Sequence, residues 1–250
     1  MLTRLVRGFP LTKTPPSWML FIGMIPRFDL YSSIAQGIDG FQEEEGVWMR
    51  KLLLTGFEPF GGEPINPAVE AVRRLQGRVI GSLEIVGLEL PTVFGKSTER
   101  LLEGIKETEP EVVIALGQAG GRDGISFERI AVNLSDANIA DNAGFQPIDM
   151  PVVPEGPAAY WTTLPVRRMA DRLQEAGIPA SLSLSAGTFV CNHLFYGLMH
   201  HLAVSGKSIL GGFIHVPYLP EQAERHTGAP SMTLEQLVTG LERAIEVLGE

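Results

Sequence analysis

The stretch KLLLTGFEPFGGEPINPAVEAVRRL, Lys51 to Leu75, decides the fold. Its beginning, Lys51–Phe57, is a short apolar run that ends in turn residues, which predicts a buried strand, and Pro67–Leu75 has the apolar spacing of a helix. The same alternation continues to the C-terminus. Further strands are predicted at Leu83–Leu90, Val112–Gly117, Phe127–Leu134, Ala180–Ala186 and Ser208–Pro217, and further helices at 94–107, 163–176, 191–204 and 234–248.

Strands separated by helices indicate an α/β fold in which a twisted, mostly parallel sheet is covered by helices on both faces. The chain has 250 residues, 44% of them hydrophobic and 20% charged, which suffices for one substantial core. We therefore expect a single domain, with two small domains as the alternative. The sequence shows neither an internal repeat nor a low-complexity tract.

Charge and cysteine content limit the partners of this chain. The formal net charge of −9 argues against binding to nucleic acid or to an anionic membrane, since both require a basic face. A single cysteine excludes an internal disulfide and a site built from several thiolates. We expect a cytoplasmic protein, because a free thiol fits a reducing compartment.

Residues 1–48 differ in character from the rest of the chain. They contain one apolar run, Trp18–Ile25, which is far shorter than the ~20 residues that span a bilayer. Basic residues before this run give it a weak likeness to a signal peptide. We expect a poorly structured extension, or a start codon assigned too early with Met49 as the true beginning, followed by a catalytic domain at 49–250.

In a parallel sheet, ligands bind beyond the carboxyl ends of the strands, where the connecting loops and helix N-termini converge. The unusual residues of this chain follow that rule. They occupy the loops GFEPFGGEPINP (56–67) and GQAGGRDG (117–124), the turn that leads into Cys191, and the turn at Pro217.

Cys191 allows two interpretations. It belongs to an apolar helical stripe with Leu194, Phe195 and Leu198, which favours simple core packing. It also lies in the first turn of the predicted helix, where free backbone N–H groups and the helix dipole stabilise a thiolate and lower its pKa. The second interpretation makes Cys191 a nucleophile.

A cysteine nucleophile requires a base and a group that orients the base. His215 is the best candidate base, because it interrupts an apolar strand at the carboxyl edge of the sheet, although a hydrogen-bonded core histidine is the alternative. Glu128 is the candidate orienting group. It begins the run FERIAVNL and would remain at the same edge if that run turns back antiparallel. A structural ion pair with Arg122 or Arg129 is the alternative for Glu128.

Four blocks of sequence together resemble the pyroglutamyl peptidase I family, also called pyrrolidone carboxyl peptidases, in order from about residue 50 to 250. They are GFEPFGGEPINP (56–67), GQAGGRDGISFERIAVN (117–133), SLSAGTFVCNHLFYGLMH (183–200) and FIHVPYLPEQ (213–222). The family's catalytic cysteine, histidine and glutamate fall on Cys191, His215 and Glu128. The resemblance implies a three-layer α/β/α, phosphorylase- or hydrolase-like fold and a homotetramer.

The activity that the resemblance implies is removal of an N-terminal pyroglutamyl residue from peptides through a thioester acyl-enzyme, with neither a cofactor nor a metal. It also implies a pocket for the pyroglutamyl ring, although core packing is an alternative for each phenylalanine. The pocket residues would be Phe57, Phe60, Gln118, Ile139, Phe189 and Val190.

This chain departs from the family at two places. Family members commonly read DARIPDN where this chain reads DANIADN at 136–142, so that Asn138 replaces an arginine thought to polarise the reacting carbonyl. An asparagine donates a hydrogen bond without charge, so either activity is reduced or Arg122 substitutes. The second departure is the extension before Met49.

Three other classes of protein share some of these sequence features. A phosphorylase-like enzyme would use GQAGGR to bind an anion, but it leaves Cys191 without a task. An amidotransferase or α/β-hydrolase would carry its nucleophile in a G-x-C-x-G elbow, which is absent around Cys191. A non-catalytic binding domain with the same fold stays open until activity is measured.

Overall fold

The computed structural model describes residues 49–249, so the predictions for residues 1–48 lie outside the described residues. The strands in this part of the chain, in order, are β1 (Arg50–Phe57), β2 (Val79–Ile80), β3 (Leu83–Leu90), β4 (Val112–Gln118), β5 (Ile125–Glu128), β6 (Ile130–Val132), β7 (Ala159–Trp161), β8 (Ala180–Ser183) and β9 (Leu210–Val216).

Five of the six helices in the described residues begin and end close to the predicted positions, and the short helix at Pro220–Ala223 was not predicted. Asn66 caps α1 by accepting a hydrogen bond from the Ala68 N–H, and Thr233 forms a capping box with Gln236 at the start of the last helix. The helices are α1 (Pro67–Leu75), α2 (Lys96–Thr108), α3 (Val166–Glu175), α4 (Val190–Ser205), α5 (Pro220–Ala223) and α6 (Leu234–Glu246).

Seven strands form one mixed sheet in the order β2-β3-β1-β4-β9-β5-β8. The pairs β1–β3, β1–β4, β4–β9 and β5–β8 are parallel, whereas β2 and β5 each run antiparallel to one neighbour. The strand β9 thus lies between β4 and β5, although it follows both in the sequence. Strands β6 and β7 form a separate antiparallel ribbon.

Two apolar cores lie on opposite faces of the sheet. One contains side chains of α1, α3 and α6, such as Leu75, Leu173 and Leu241. The other contains side chains of α2 and α4, such as Leu101, Leu194 and Phe195. This arrangement confirms the predicted α/β fold, with helices on both sides of a mostly parallel sheet. Within residues 49–249, no helix has both the length and the apolarity needed to cross a membrane.

The predicted strand Phe127–Leu134 is wrong as a single element. The chain leaves the main sheet after Glu128, and residues 130–132 pair with β7 instead. Both parts have strand-like composition, and composition does not reveal which partner a strand takes. Helix α4 also differs from the predicted single stripe, because ten of its sixteen residues are buried. It packs against α2, β9 and both strands of the ribbon.

Candidate active site

Cys191 is the second residue of α4 and is 8% exposed. Phe189 occupies the N-cap position and contributes no side-chain hydrogen bond to the first turn. The N–H groups of that turn therefore have no side-chain acceptor, and the Cys191 thiol lies at the positive end of the helix dipole. The predicted position at a helix N-terminus is confirmed.

The sheet beneath Cys191 has a glycine at the point of contact. A Cβ added to Gly117 of β4 would lie 2.9 Å from Cys191 Sγ and 2.7 Å from Phe213 Cζ. In the sheet, Gly117 and His215 are register partners on neighbouring parallel strands. Register partners lie about 4.8 Å apart and present their side chains to the same face. The imidazole of His215 is thereby on the same face of the sheet as the Cys191 sulfur.

Glu128 holds the imidazole from the other side. Its Oε1 lies 2.8 Å from His215 Nδ1, and both side chains are buried. The same Oε1 accepts a hydrogen bond of 2.7 Å from Arg122 Nη1, and Arg122 Nη2 donates to the Ser185 carbonyl at 3.1 Å. Glu128 thus contacts His215, as an orienting group would, and it also forms the ion pair with Arg122 that was the structural alternative.

The protonation states of His215 and Glu128 allow His215 to act as a base in the resting site. Burial lowers the pKa of His215, against the raising effect of Glu128. Burial would raise the pKa of Glu128, but its hydrogen bond and charge interaction with His215, with help from Ser183 and Arg122, bring that pKa below its ordinary value. A neutral imidazole with Nδ1–H donated to an ionised Glu128 leaves Nε2 free to accept a proton.

The thiol of Cys191 is not ionised in the resting site. Burial, with the nearby Glu128 carboxylate, raises its pKa to about 12, and Arg122 only partly opposes this shift. The expectation that this pKa is lowered overall is therefore wrong, although the backbone hydrogen bond at Cys191 does lower it in part. Loss of hydration disfavours the thiolate more than the helix dipole favours it. A base must take the proton as the thiol reacts.

A cavity of about 480 Å³ opens beside these groups, and both Cys191 and His215 line it. Four of the six predicted pocket residues line it as well, namely Phe60, Gln118, Ile139 and Phe189. The other lining residues are Ala119, Arg122, Asp136, Asn138, Ala186, Gly187 and Thr188.

Phe57 and Val190 do not line the cavity. Phe57 is 1% exposed and packs against Phe213, with 6.4 Å between ring centroids, and Val190 is fully buried. Phe57 is the last residue of β1, so it belongs to the buried sheet, whereas Phe60 lies in the loop beyond it. The alternative of core packing holds for Phe57, and the assignment of Val190 to the pocket is wrong because its side chain is buried in the core.

Two neighbours of Cys191, whose roles the sequence did not reveal, hold the chain segment after β5 against α4. Asn192 exchanges hydrogen bonds of 3.0 and 2.9 Å with the backbone of Val132, and His193 Nδ1 pairs with Ser135 Oγ at 3.0 Å. His193 Nε2 accepts from the Gly95 N–H at 3.2 Å. Burial lowers the pKa of His193 to about 4, so this imidazole is neutral at pH 7.

No group of three or more His, Cys, Asp or Glu side chains in the described part of the chain could hold a metal ion.

Comparisons with known proteins identify the family. The sequence profile described as pyroglutamyl peptidase matches residues 50–250. The chain belongs to the pyroglutamyl peptidase family. The pyrrolidone-carboxylate peptidase of Bacillus cereus is 57% identical over 199 residues, which are 80% of this chain and 93% of that protein. The corresponding protein of Bacillus mycoides is 56% identical over 202 residues, 81% of this chain and 94% of its own length.

Solved structures from the pyroglutamyl peptidase family have the same fold. The crystal structure of pyroglutamyl peptidase I from Bacillus amyloliquefaciens gives a TM-score of 0.77 at 51% identity, covering 78% of this chain and 92% of that one. A mutant pyrrolidone carboxyl peptidase from the hyperthermophile Pyrococcus furiosus gives 0.76 at 46% identity, covering 79% and 97%. The resemblance stated from the four sequence blocks and the predicted class of cysteine peptidase are confirmed.

Proposed function

We propose that this chain hydrolyses the bond after an N-terminal pyroglutamyl residue, with Cys191 as nucleophile, His215 as general base and acid, and Glu128 as the group that orients His215. One observation carries the proposal. The buried His215, tied to Glu128 at 2.8 Å, lines the same cavity as the only cysteine of the chain. Membership of the pyroglutamyl peptidase family supplies the substrate class.

Acylation begins with a neutral thiol, because the pKa of Cys191 is raised to about 12. His215 Nε2 takes the proton from Sγ as the sulfur attacks the pyroglutamyl carbonyl carbon, and the carbonyl π electrons move to oxygen. The resulting imidazolium is stabilised by the Glu128 carboxylate. Collapse of the tetrahedral intermediate breaks the C–N bond, and His215 returns its proton to the departing amine.

Deacylation repeats these steps with water. His215 accepts a proton from water as its oxygen attacks the thioester carbonyl, and the sulfur leaves and is reprotonated. Both oxyanions need hydrogen-bond donors. The first-turn N–H groups of α4, which have no side-chain cap, and the Asn138 amide at the cavity are the candidates.

The cavity suits a small, flat, neutral ring. Phe60 and Phe189 lie with ring centroids 5.9 Å apart and would wall the ring together with Ile139. Gln118 supplies an amide for the lactam. An ordinary charged N-terminus fits such walls poorly, because its ammonium would lose hydration without gaining a carboxylate partner.

The test is the release of p-nitroaniline from L-pyroglutamyl p-nitroanilide. We expect the wild-type chain to release it. Glu128→Gln should lower activity by about 10² to 10⁴-fold, the range typical of general acid–base contributions, because His215 loses its orienting carboxylate. Cys191→Ser should lose at least as much, because it lacks the thiol nucleophile. Glu111→Gln is the matched control, because Glu111 pairs with Arg50 on the surface. A Cys191→Ser variant with full activity would refute the mechanism.

Three further points belong to the proposal. Residues 49–250 would form the catalytic domain, preceded by residues 1–48 as an extension. The single cysteine supports a reducing cytoplasm, and neither nucleic acid nor a membrane is expected as a partner. A homotetramer, proposed on the family resemblance, would give a native mass four times that of the 27.2 kDa chain in light scattering.

A further inference from the structure

Gln222 is almost completely buried beside the cavity without lining it. It is 1% exposed and lies on the short helix α5, within the block FIHVPYLPEQ. Its amide links two distant parts of the site, since Nε2 donates to Gln118 Oε1 at 2.9 Å across 104 positions of sequence. The contact couples the orientation of the Gln118 amide to that of the Gln222 amide.

The orientation of the Gln222 amide is fixed by neighbours that have only one hydrogen-bonding role. The Leu219 N–H can only donate, and it lies 3.2 Å from Gln222 Oε1. The Ile65 carbonyl and the Glu63 carboxylate can only accept, and they lie 3.3 and 3.2 Å from Gln222 Nε2. Exchanging Oε1 and Nε2 of Gln222 would therefore place its N–H₂ group against the Leu219 N–H and its carbonyl against the oxygens of Glu63 and Ile65.

Glu63 adds charge to this arrangement. Its Oε1 lies 2.8 Å from His226 Nε2, and His226 stacks on Tyr218 with ring centroids 4.6 Å apart. Burial would raise the pKa of Glu63, but the hydrogen bonds from His226 and Gln222 and the nearby positive charges lower it overall. An ionised Glu63 strengthens the preference for the donor end of Gln222 on this side.

The fixed amide of Gln222 determines the amide of Gln118. Gln118 is the last residue of β4 and lines the cavity, and its Oε1 is occupied by Gln222. Its Nε2 donates to no other group in residues 49–249, so this nitrogen is the end left for a ligand. We infer that Gln222 is a positioning residue, which holds Gln118 with its N–H₂ group toward the cavity so that the site selects a ligand with a carbonyl acceptor.

This inference rests on the proposed function and makes it more specific. The pyroglutamyl ring has a lactam C=O that can accept from Gln118 Nε2, whereas a prolyl ring of the same size has no such acceptor. A buried donor left without a partner costs about 1–3 kcal/mol, or about 5- to 150-fold in affinity. Gln222 would thus contribute to substrate selection without touching the substrate.

The test uses Gln222→Glu and Gln222→Met. The carboxyl group of the first variant keeps an acceptor for the Leu219 N–H, and its other oxygen shares a proton with the Glu63 carboxylate. It then has no proton to donate to Gln118, so the Gln118 carbonyl turns toward the cavity. We expect KM for pyroglutamyl p-nitroanilide, and the inhibition constant of 2-pyrrolidone as the ring alone, to rise together by about 10-fold or more. Gln222→Met should raise both by less, since Gln118 is then free to turn.

Three controls separate positioning from loss of structure. The rate at which iodoacetamide alkylates Cys191 should stay unchanged in both variants. Gln174→Glu, in an exposed glutamine whose Nε2 donates to the Ala180 carbonyl, should leave KM unchanged. In a Gln118→Met background, Gln222→Met should have no further effect on KM, because the amide through which Gln222 acts is gone.

The possible failures are distinguishable. If the wild-type chain neither cleaves the anilide nor binds 2-pyrrolidone, the proposed function is wrong. If the wild-type chain does both, but Gln222→Met keeps wild-type constants, or lowers kcat and the alkylation rate with KM unchanged, the inference about Gln222 is overturned. Gln222→Met removes the donor without adding charge, so it decides the question if the glutamate variant does not fold.

Discussion

Gly117 and Cys191 are in such close contact that a single methyl group on Gly117 would lie 2.9 Å from the Cys191 sulfur. We predict that Gly117→Ala displaces the sulfur and lowers kcat/KM by about 10²-fold, the typical cost of misplacing a reacting group by about 1 Å. Steady-state kinetics with pyroglutamyl p-nitroanilide measure this loss.

Gly104→Ala is the control for Gly117→Ala. An added Cβ there would lie 2.6 Å from Leu88 Cδ2, a comparable crowding on α2 among residues that do not line the cavity. It should destabilise the fold without a specific loss of activity. Equal kinetic losses in both variants, with equal losses of stability, would mean that Gly117 acts only through packing.

The raised pKa of the Cys191 thiol predicts an unusual alkylation profile. With a pKa of about 12, the thiolate fraction grows throughout the neutral and mildly alkaline range. The rate of iodoacetamide alkylation should therefore keep rising with pH past 9, where a thiol with an ordinary pKa near 8.5 approaches its plateau. Intact mass reports the reaction cleanly, because the chain has one cysteine. A plateau near pH 6 to 7 would instead indicate a preformed thiolate and imidazolium pair.

The partly buried His193 predicts how the stability of the fold depends on pH. Its pKa is about 4 in the folded chain and 6.5 when solvated, so below pH 6.5 the unfolded chain binds a proton that the folded chain does not. Stability present at pH 7 is then lost as pH falls, by about 2 kcal/mol at pH 5 for this group. Urea unfolding of wild type and His193→Gln at pH 7 and pH 5 measures it. The variant should lose less stability than wild type between the two values; an equal loss would contradict the prediction.

Substitutions of Phe60 and Phe57 should have different effects, one on substrate binding and the other on the stability of the fold. Phe60 lines the cavity, so Phe60→Ala should raise KM for pyroglutamyl substrates with little loss of stability. Phe57 is 1% exposed, so Phe57→Ala should lower the free energy of unfolding by about 3–5 kcal/mol. Thermal melts and kinetics of the two variants give the comparison. Unchanged kinetics in Phe60→Ala would remove Phe60 from the pocket.

Substitution of Asn138 by arginine is predicted to raise activity. Arg122 is engaged with Glu128 and the Ser185 carbonyl, so it is not free to replace the arginine that the family commonly has at position 138. Asn138→Arg should raise kcat, by about 10-fold or more if the charge reaches the oxyanion, whereas Asn138→Gln should not. An unchanged kcat in Asn138→Arg would show that the oxyanion is already fully stabilised.

The sequence was sufficient for most of the architecture and for the grouping of Cys191, His215 and Glu128. Strand β1 and helix α1 were predicted almost to the residue, because an apolar run and a capped helix are local signals. The grouping followed from one topological rule, that the carboxyl ends of parallel strands share an edge. The catalytic roles themselves stay predictions until the variants are measured.

The features that could not be predicted depend on how deeply a side chain is buried and on contacts between residues far apart in the sequence. The pKa of Cys191 was expected to be low because the pattern shows where a helix begins, but not how completely its first turn is covered. Gln222 was not recognised, because its partner Gln118 lies 104 residues away and the amide orientation depends on α5. The family resemblance places Phe57 in the pocket, whereas Phe57 ends β1 and its ring is buried in the core.

The insertion of β9 between β4 and β5 has a consequence for biosynthesis. Strand β9 is the last to be made, yet it carries His215 and occupies the middle of the catalytic edge. A nascent chain that has emerged only as far as α4 would hold the nucleophile without its base. Peptidase activity would therefore switch on near the end of synthesis, and a product shortened before residue 210 would be catalytically silent.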